Sequence, residues 1–261
     1  MESLLQDRFF ILLAAGLFGA VFGSFATALI YRLPREINWV SKRSICPKCD
    51  HALGVLDLFP IFSYLFTMGH CRHCKAKFGA NYLFIELLMV ISFVLSAYLF
   101  GPTVKTVVIS MLSFATIIIF VVDFEHYIIP DEINILIGLL GIAYGLNNGE
   151  GVEQLVYMPL FYFGLAMFLR WFMFVWKKKE GLGLGDVKFF LAAGTFLSVE
   201  ALPNFLFISG FVGIIIAILW RLLKKGEIFP FGPALSLSLL FCVAFPESNA
   251  KLIMLFQEVM I

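Results

Sequence analysis

Charge is what this chain has least of. Its 261 residues include 19 Lys or Arg and 18 Asp or Glu, 14% of the total, where soluble domains carry about 25%. That shortage excludes an ordinary soluble domain. A net charge of +1 leaves no basic surface for nucleic acid and no signature of an acidic partner. A cleavable secretory signal is not expected either. The residues before the first apolar run are acidic, Glu2 and Asp7, whereas such signals open on a basic region. Apolar residues fill the rest: 61% are hydrophobic and 16% aromatic, with 31 Phe, and the mean hydropathy is +0.95. The composition is that of an all-α, polytopic membrane protein.

Apolar runs predict about eight transmembrane helices, over 9–31, 83–100, 104–122, 132–147, 154–176, 187–202, 205–222 and 230–246. The sixth is short and holds Gly194 and Ser198, and Pro203 marks a turn into the seventh. Basic residues orient the spans. Arg32, Arg35, Lys42, Arg43, Lys48, Arg72, Lys75 and Lys77 follow the first span. Lys177, Lys178, Lys179 and Lys188 flank the gap after the fifth, and Arg221, Lys224 and Lys225 end the seventh. Fifteen of the nineteen cations thus fall on one side, which is assigned to the cytoplasm, with both termini outside. Asp123 ends the third span and Asp186 begins the sixth, so both come out at the cytoplasmic boundary. Three parts are expected: a first span (1–31), a cytoplasmic cysteine domain (32–82) and a transmembrane core (83–261).

The cytoplasmic segment carries Cys46-Pro-Lys-Cys49 and Cys71-Arg-His-Cys74, twenty-one residues apart. Two such knuckles predict a structural, tetrahedral four-cysteine zinc site. His51, His70 and His73 are possible substitute ligands, and a pair of redox motifs is the competing reading. A loop of about fifty residues has little core of its own, so a metal staple is reasonable. Cys242 lies in the last span and reads as a small buried apolar residue.

A carboxylate so close to lipid is costly and is a functional candidate. Asp123 follows an unbroken apolar run, while Glu125, Asp131 and Glu132 behind it read as a solvated turn. Asp131, after Pro130, is expected to cap the fourth span, and it is the alternative first catalytic group. Asp186 closes Gly181-Leu-Gly183-Leu-Gly185-Asp186. A nucleotide loop is the competing reading, but no strand precedes it. A second competing role is as N-cap of the sixth helix. Lys188 is placed either to snorkel to the surface or to favour an ionised carboxylate.

Taken together these motifs resemble the prepilin peptidase family, the bacterial enzymes that process type IV pilins and type II secretion pseudopilins. The resemblance lies in Gly23 to Pro34, in the two cysteine pairs followed by Tyr82 and Glu86, in Asp123 through Pro130-Asp131, in Gly183-x-Gly185-Asp186-x-Lys188, and in Pro230-Phe-Gly-Pro233. Thr27 stands where the family usually has Asn. The resemblance implies an aspartic-type endopeptidase of the inner membrane. Asp123 and Asp186 are its catalytic pair, with Gly183, Gly185, Lys188 and Asp131 in support. It implies removal of a short basic leader, after a glycine and before an apolar helix. It also implies N-methylation of the new N-terminus from S-adenosylmethionine. Two other classes stay open on the residues alone: an ion-coupled transporter using both aspartates, and a non-catalytic assembly protein. The cysteine pairs separate the chain from the archaeal preflagellin enzymes and the presenilins.

Overall fold

The computed structural model describes residues 2–46, 48–54, 57, 59–178, 181–223 and 229–246. Lys179, Lys224 and Lys225, three of the cations used above to orient the chain, lie outside the described residues. Among those residues the fold is all-helical. The helices are α1 (Glu2–Arg32), α2 (Phe62–Thr67), α3 (Asn81–Phe100), α4 (Val104–His126), α5 (Asp131–Asn147), α6 (Val152–Lys177), α7 (Leu184–Ala193), α8 (Leu202–Leu222) and α9 (Gly232–Ala244). The chain forms two compact units, Met1–Ile118 and Ile119–Ile261, whose boundary falls inside α4.

Among the described residues, five segments are long and apolar enough to cross a bilayer: Gln6–Arg35, Asn81–Phe100, Val104–His126, Gln154–Trp176 and Val199–Leu222. The chain is therefore a multi-pass membrane protein by length and composition. The other three expected spans appear as helices but are shorter, at 17 residues in α5, 10 in α7 and 13 in α9. The expected helix over 187–202 is corrected most. It stops at Ala193, about 15 Å long at 1.5 Å per residue, half the thickness of a hydrocarbon core. The reason is local. The Thr195 hydroxyl donates to the Ala192 carbonyl at 2.7 Å, which competes with helix continuation. Gly194 meanwhile packs so tightly on α6 that a Cβ there would lie 2.7 Å from Pro159 Cα. The Tyr162 hydroxyl then donates to the Ser198 carbonyl at 2.9 Å and holds the turn.

In the first unit, α1 and α3 pack along a stripe of small residues, a common device where lipid gives no hydrophobic push between helices. A Cβ at Gly19 would lie 2.8 Å from Val90 Cα, and one at Gly23 2.8 Å from Glu86 Cα. The backbones therefore touch at both points. Phe22 fills the next layer, with Phe93 and Phe114 ring centroids 5.5 and 5.4 Å away. A buried carboxyl group is positioned this way, since Glu86 sits at the Gly23 contact.

In the second unit, α5, α6 and α7 pack side by side, and α8 packs on α9. Phe205 is the pivot, edge-on to Phe190 at 5.4 Å and near Tyr162 at 6.2 Å. The Ser238 hydroxyl donates to the Phe205 carbonyl at 2.7 Å. α9 is buried on nearly all sides, Cys242 included, as expected for a small apolar residue.

The stripe makes a graded prediction. Gly16 has its nearest neighbour at 3.5 Å, so Gly16→Ala should leave the thermal midpoint in detergent unchanged. Gly19→Ala forces two backbones apart and should cost about 1–3 kcal/mol, the usual cost of overpacking, seen as a lower midpoint.

Candidate active site and metal centre

Asp123 sits in the last turn of α4, buried at 5% exposure. Its Oδ2 accepts the backbone N–H of Gly232 at 2.8 Å, the first residue of α9. A Cβ at Gly232 would stand 2.9 Å from that oxygen, so a side chain there would displace the carboxylate from the amide. Asp186 sits in the first turn of α7. Its Oδ2 accepts the backbone N–H of Gly183 at 3.0 Å. The expectation that Asp186 is the N-cap is corrected: Gly183 is the cap, and Asp186 is the third helical residue reaching back to it. This is half of a capping box with glycine in the Ser/Thr position. Among the described residues, no hydrogen bond reaches Oδ1 of either aspartate.

The two aspartates belong to one site. Asp186 lies within electrostatic reach of both Asp123 and Arg170. Ile129 joins their frames. A Cβ on Gly185 would lie 3.4 Å from Ile129, and one on Gly232 3.1 Å from the tip of the same side chain. The glycine loop before Asp186 is held from α6, where Arg170 Nη1 donates to the Leu182 carbonyl at 2.6 Å.

Asp131 is placed differently from the expectation. Pro130 occupies the cap position and Asp131 is the first helical residue, without a capping bond. Its carboxylate instead takes both oxygens to Lys188 Nζ, at 2.8 and 2.7 Å. Lys188 therefore pairs with Asp131 rather than with Asp186. Glu125 is exposed and faces His126, so neither it nor Asp131 joins the aspartate pair. Gly232 is the site residue that sequence reasoning missed. Its signal was Pro230-Phe-Gly-Pro233, a motif seen but given no task.

In the first unit, Cys46, Cys49, Cys71 and Cys74 bring their sulfurs within 4.8 Å of one another. The Cys46 and Cys74 sulfurs are 3.8 Å apart, close to the edge of about 3.8 Å in a tetrahedron with metal–sulfur bonds of about 2.3 Å. The two knuckles are built alike. Cys46 N–H donates to His51 O and Cys71 N–H to Ala76 O, each at 2.9 Å. Asp50 and Lys75 close the two turns with φ of 54° and 57°. Within the cluster the thiols divide: backbone N–H groups of Cys74 and then His73 draw the Cys71 thiol down to about 7, while Cys49 is pushed up to about 12. The histidines are not in the cluster. His51 and His73 instead lie ring to ring, 3.5 Å between centroids.

Glu86 lies buried in α3, and its Oε2 accepts the N–H of Ile61 at 2.7 Å. Ile61 has φ of 63°, a conformation that a β-branched residue rarely holds without support. Glu86 borders a cleft of about 280 Å³ that Tyr31, Tyr64, Arg32 and Thr27 also line. The Thr27 hydroxyl is turned onto its own helix, donating to Ser24 O at 2.8 Å.

Residues 17–100 match the Bacterial Peptidase A24 N-terminal domain, and residues 109–218 match the Type IV leader peptidase family. The chain is 30% identical over 240 residues to the Type 4 prepilin-like proteins leader peptide-processing enzyme of Escherichia coli O78:H11, covering 84% of this chain and 88% of that one. It is 29% identical over 228 residues to the prepilin leader peptidase/N-methyltransferase of Vibrio cholerae (84% and 90% covered). To the enzyme of that name from Aeromonas salmonicida it is 28% identical over 251 residues (85% and 86%). No solved structure matches it. With the cysteine knuckles, the glycine-held aspartates and full-length relatives in agreement, the chain belongs to the type IV leader peptidase family.

Proposed function

We propose that the chain is a membrane aspartyl endopeptidase that removes the basic leader from type IV prepilin-like or pseudopilin precursors and then N-methylates the new terminus. Asp123 and Asp186 are the catalytic pair. The observation that carries this reading is the shared frame of the two carboxylates: each is tied by one glycine N–H through Oδ2, and Ile129 packs against both glycine segments. Two carboxyl groups in electrostatic contact ionise one at a time. The ionised one takes a proton from water, and the other donates to the carbonyl oxygen of the scissile peptide. Holding one oxygen of each on a backbone amide leaves Oδ1 to the reaction and fixes its direction, which is a large part of the rate.

The pair sits at helix ends, not mid-helix where transport sites lie, which disfavours the ion-coupled reading. Counting the 17-residue α5 as a crossing together with α6 returns the chain to the side it left, which supports one face for both aspartates. The cation distribution supports the cytoplasmic assignment of that face, with the N-terminus outside. The parts are then a first span (1–31), a cytoplasmic metal-binding segment (32–82) and a peptidase core (83–261).

The sulfur spacing and the all-thiolate donor set suit zinc, in a closed structural site. Of the acidic residues able to meet a basic leader there, Asp57 is already paired with Arg72 at 2.9 Å. The metal thus shapes the segment that borders the Glu86 cleft. S-adenosylmethionine suits that cleft by chemistry. Glu86, Tyr64 and Arg32 would hold the group there, through a buried carboxylate, an aromatic ring and a cation, and the group would supply the methyl.

Three outcomes follow for purified protein with a precursor peptide, read by mass spectrometry. Asp123→Asn and Asp186→Asn should each lose cleavage by about 10³-fold or more, while Asp131→Asn should retain most of it; full activity in Asp123→Asn would remove the pair. Cys46→Ser should lose bound zinc by elemental analysis and lower the thermal midpoint; unchanged zinc content would remove the metal site. Glu86→Gln keeps an oxygen for the Ile61 N–H but loses the charge. It should cut the leader normally, yet yield mainly unmethylated product and bind S-adenosylmethionine about tenfold or more weakly.

A further inference from the structure

A second cavity lies in the other unit, and the peptidase mechanism leaves it unused. It is a groove of about 580 Å³ between α5, α6 and α7. Ile135, Leu139 and Leu160 form its open apolar walls, and the Asp131–Lys188 ion pair stands at one end. That end is next to the chemistry: Ile129, two residues before Asp131, touches Gly185, the residue before Asp186.

One lining residue is out of place. Asn134 lies one helical turn beyond Asp131 and is 6% exposed, yet neither its amide oxygen nor its amide nitrogen has a hydrogen-bond partner. Leaving such a group unpaired in an apolar setting is costly. An apolar side chain here would pack at no such cost, and the unpaired amide is left able to meet a partner from outside. A primary amide offers one acceptor and a pair of donors, the same equipment as a peptide group. An acyl chain offers nothing to pair with it.

The apolar helix of the precursor begins beside the cut, and the first backbone N–H groups of a helix have no partner within it, which hydrocarbon cannot supply. We propose that this groove binds the apolar segment of the precursor, with the Asn134 amide pairing a backbone peptide group left unpaired beside the cut. Rotation of the Asn134 side chain turns the amide toward the occupant, and the Asp131–Lys188 pair marks the polar rim where the leader emerges. Asn134 is on this account a positioning residue, which touches the substrate but not the reacting atoms. The inference rests on the peptidase reading and adds to it the substrate's place.

The test uses the full chain in lipid nanodiscs with a precursor peptide that has a basic leader and an apolar segment. Asn134→Leu should keep or raise the thermal midpoint, because it removes an unpaired amide, and should lower kcat/KM about tenfold or more. Asn134→Gln, which keeps the amide, should recover part of the loss. A photoreactive benzoylphenylalanine at Leu139 should cross-link the precursor in the Asp123→Asn background, where it is not consumed. Wild-type kinetics in Asn134→Leu, or adducts to lipid alone at Leu139, would overturn the inference while cleavage by the wild type leaves the peptidase reading standing. Failure of the wild type to cut the precursor would instead overturn that reading itself.

Discussion

Two carboxyl groups at helix ends each take one hydrogen bond from a glycine amide, and the rest of the second unit is arranged around that constraint. Asp123 needs Gly232 N–H, so α9 has to begin where α4 ends. Asp186 needs Gly183 N–H, so the chain has to enter α7 through a glycine loop. The Gly232 contact favours a residue without a side chain, because a Cβ there would stand 2.9 Å from the carboxylate oxygen itself. A backbone amide is a donor that cannot rotate away or ionise, and it therefore holds an acid in a fixed direction whatever its protonation state.

The same economy of small residues recurs where no chemistry takes place. Gly19 and Gly23 bring α1 and α3 into backbone contact, and Gly194 brings α7 onto α6 at Pro159. In lipid, apolar side chains gain little by meeting one another, so close backbone approach and polar contacts carry the packing. The cysteine segment solves a different problem. It lies outside the apolar helices, has little core, and is closed by two like knuckles whose four sulfurs converge. Its other anchor is Glu86, whose carboxylate receives Ile61 N–H and so ties the segment to α3.

Much of this was legible in the sequence. Apolar run length located the five helices of membrane-spanning length, and the shorter α5, α7 and α9 as helices, because burial in lipid leaves so strong a compositional mark. The cysteine knuckles could be read from their spacing, and the aspartates at the helix ends because a carboxylate is costly beside lipid. Other features were hidden for physical reasons. The stop of α7 at Ala193 depends on Thr195 bonding its own helix and on Gly194 meeting Pro159, a contact between distant segments. The pairing of Lys188 with Asp131 spans 57 positions. Local spacing had offered Asp186 as its partner, but successive helical positions two apart do not face each other. Gly232 was hidden because a glycine's role as a donor is written nowhere in its side chain.

The account stands on Asp123 and Asp186 forming one catalytic pair at a single membrane face. Cross-linking in native membranes measures this most directly. The two aspartates are replaced by cysteine, Cys242 by alanine, and the pair is offered a short thiol-specific bifunctional reagent. The account predicts rapid intramolecular bridging of positions 123 and 186, slowed when a precursor peptide fills the site. Absence of any bridge, with both thiols shown to react singly, would contradict it.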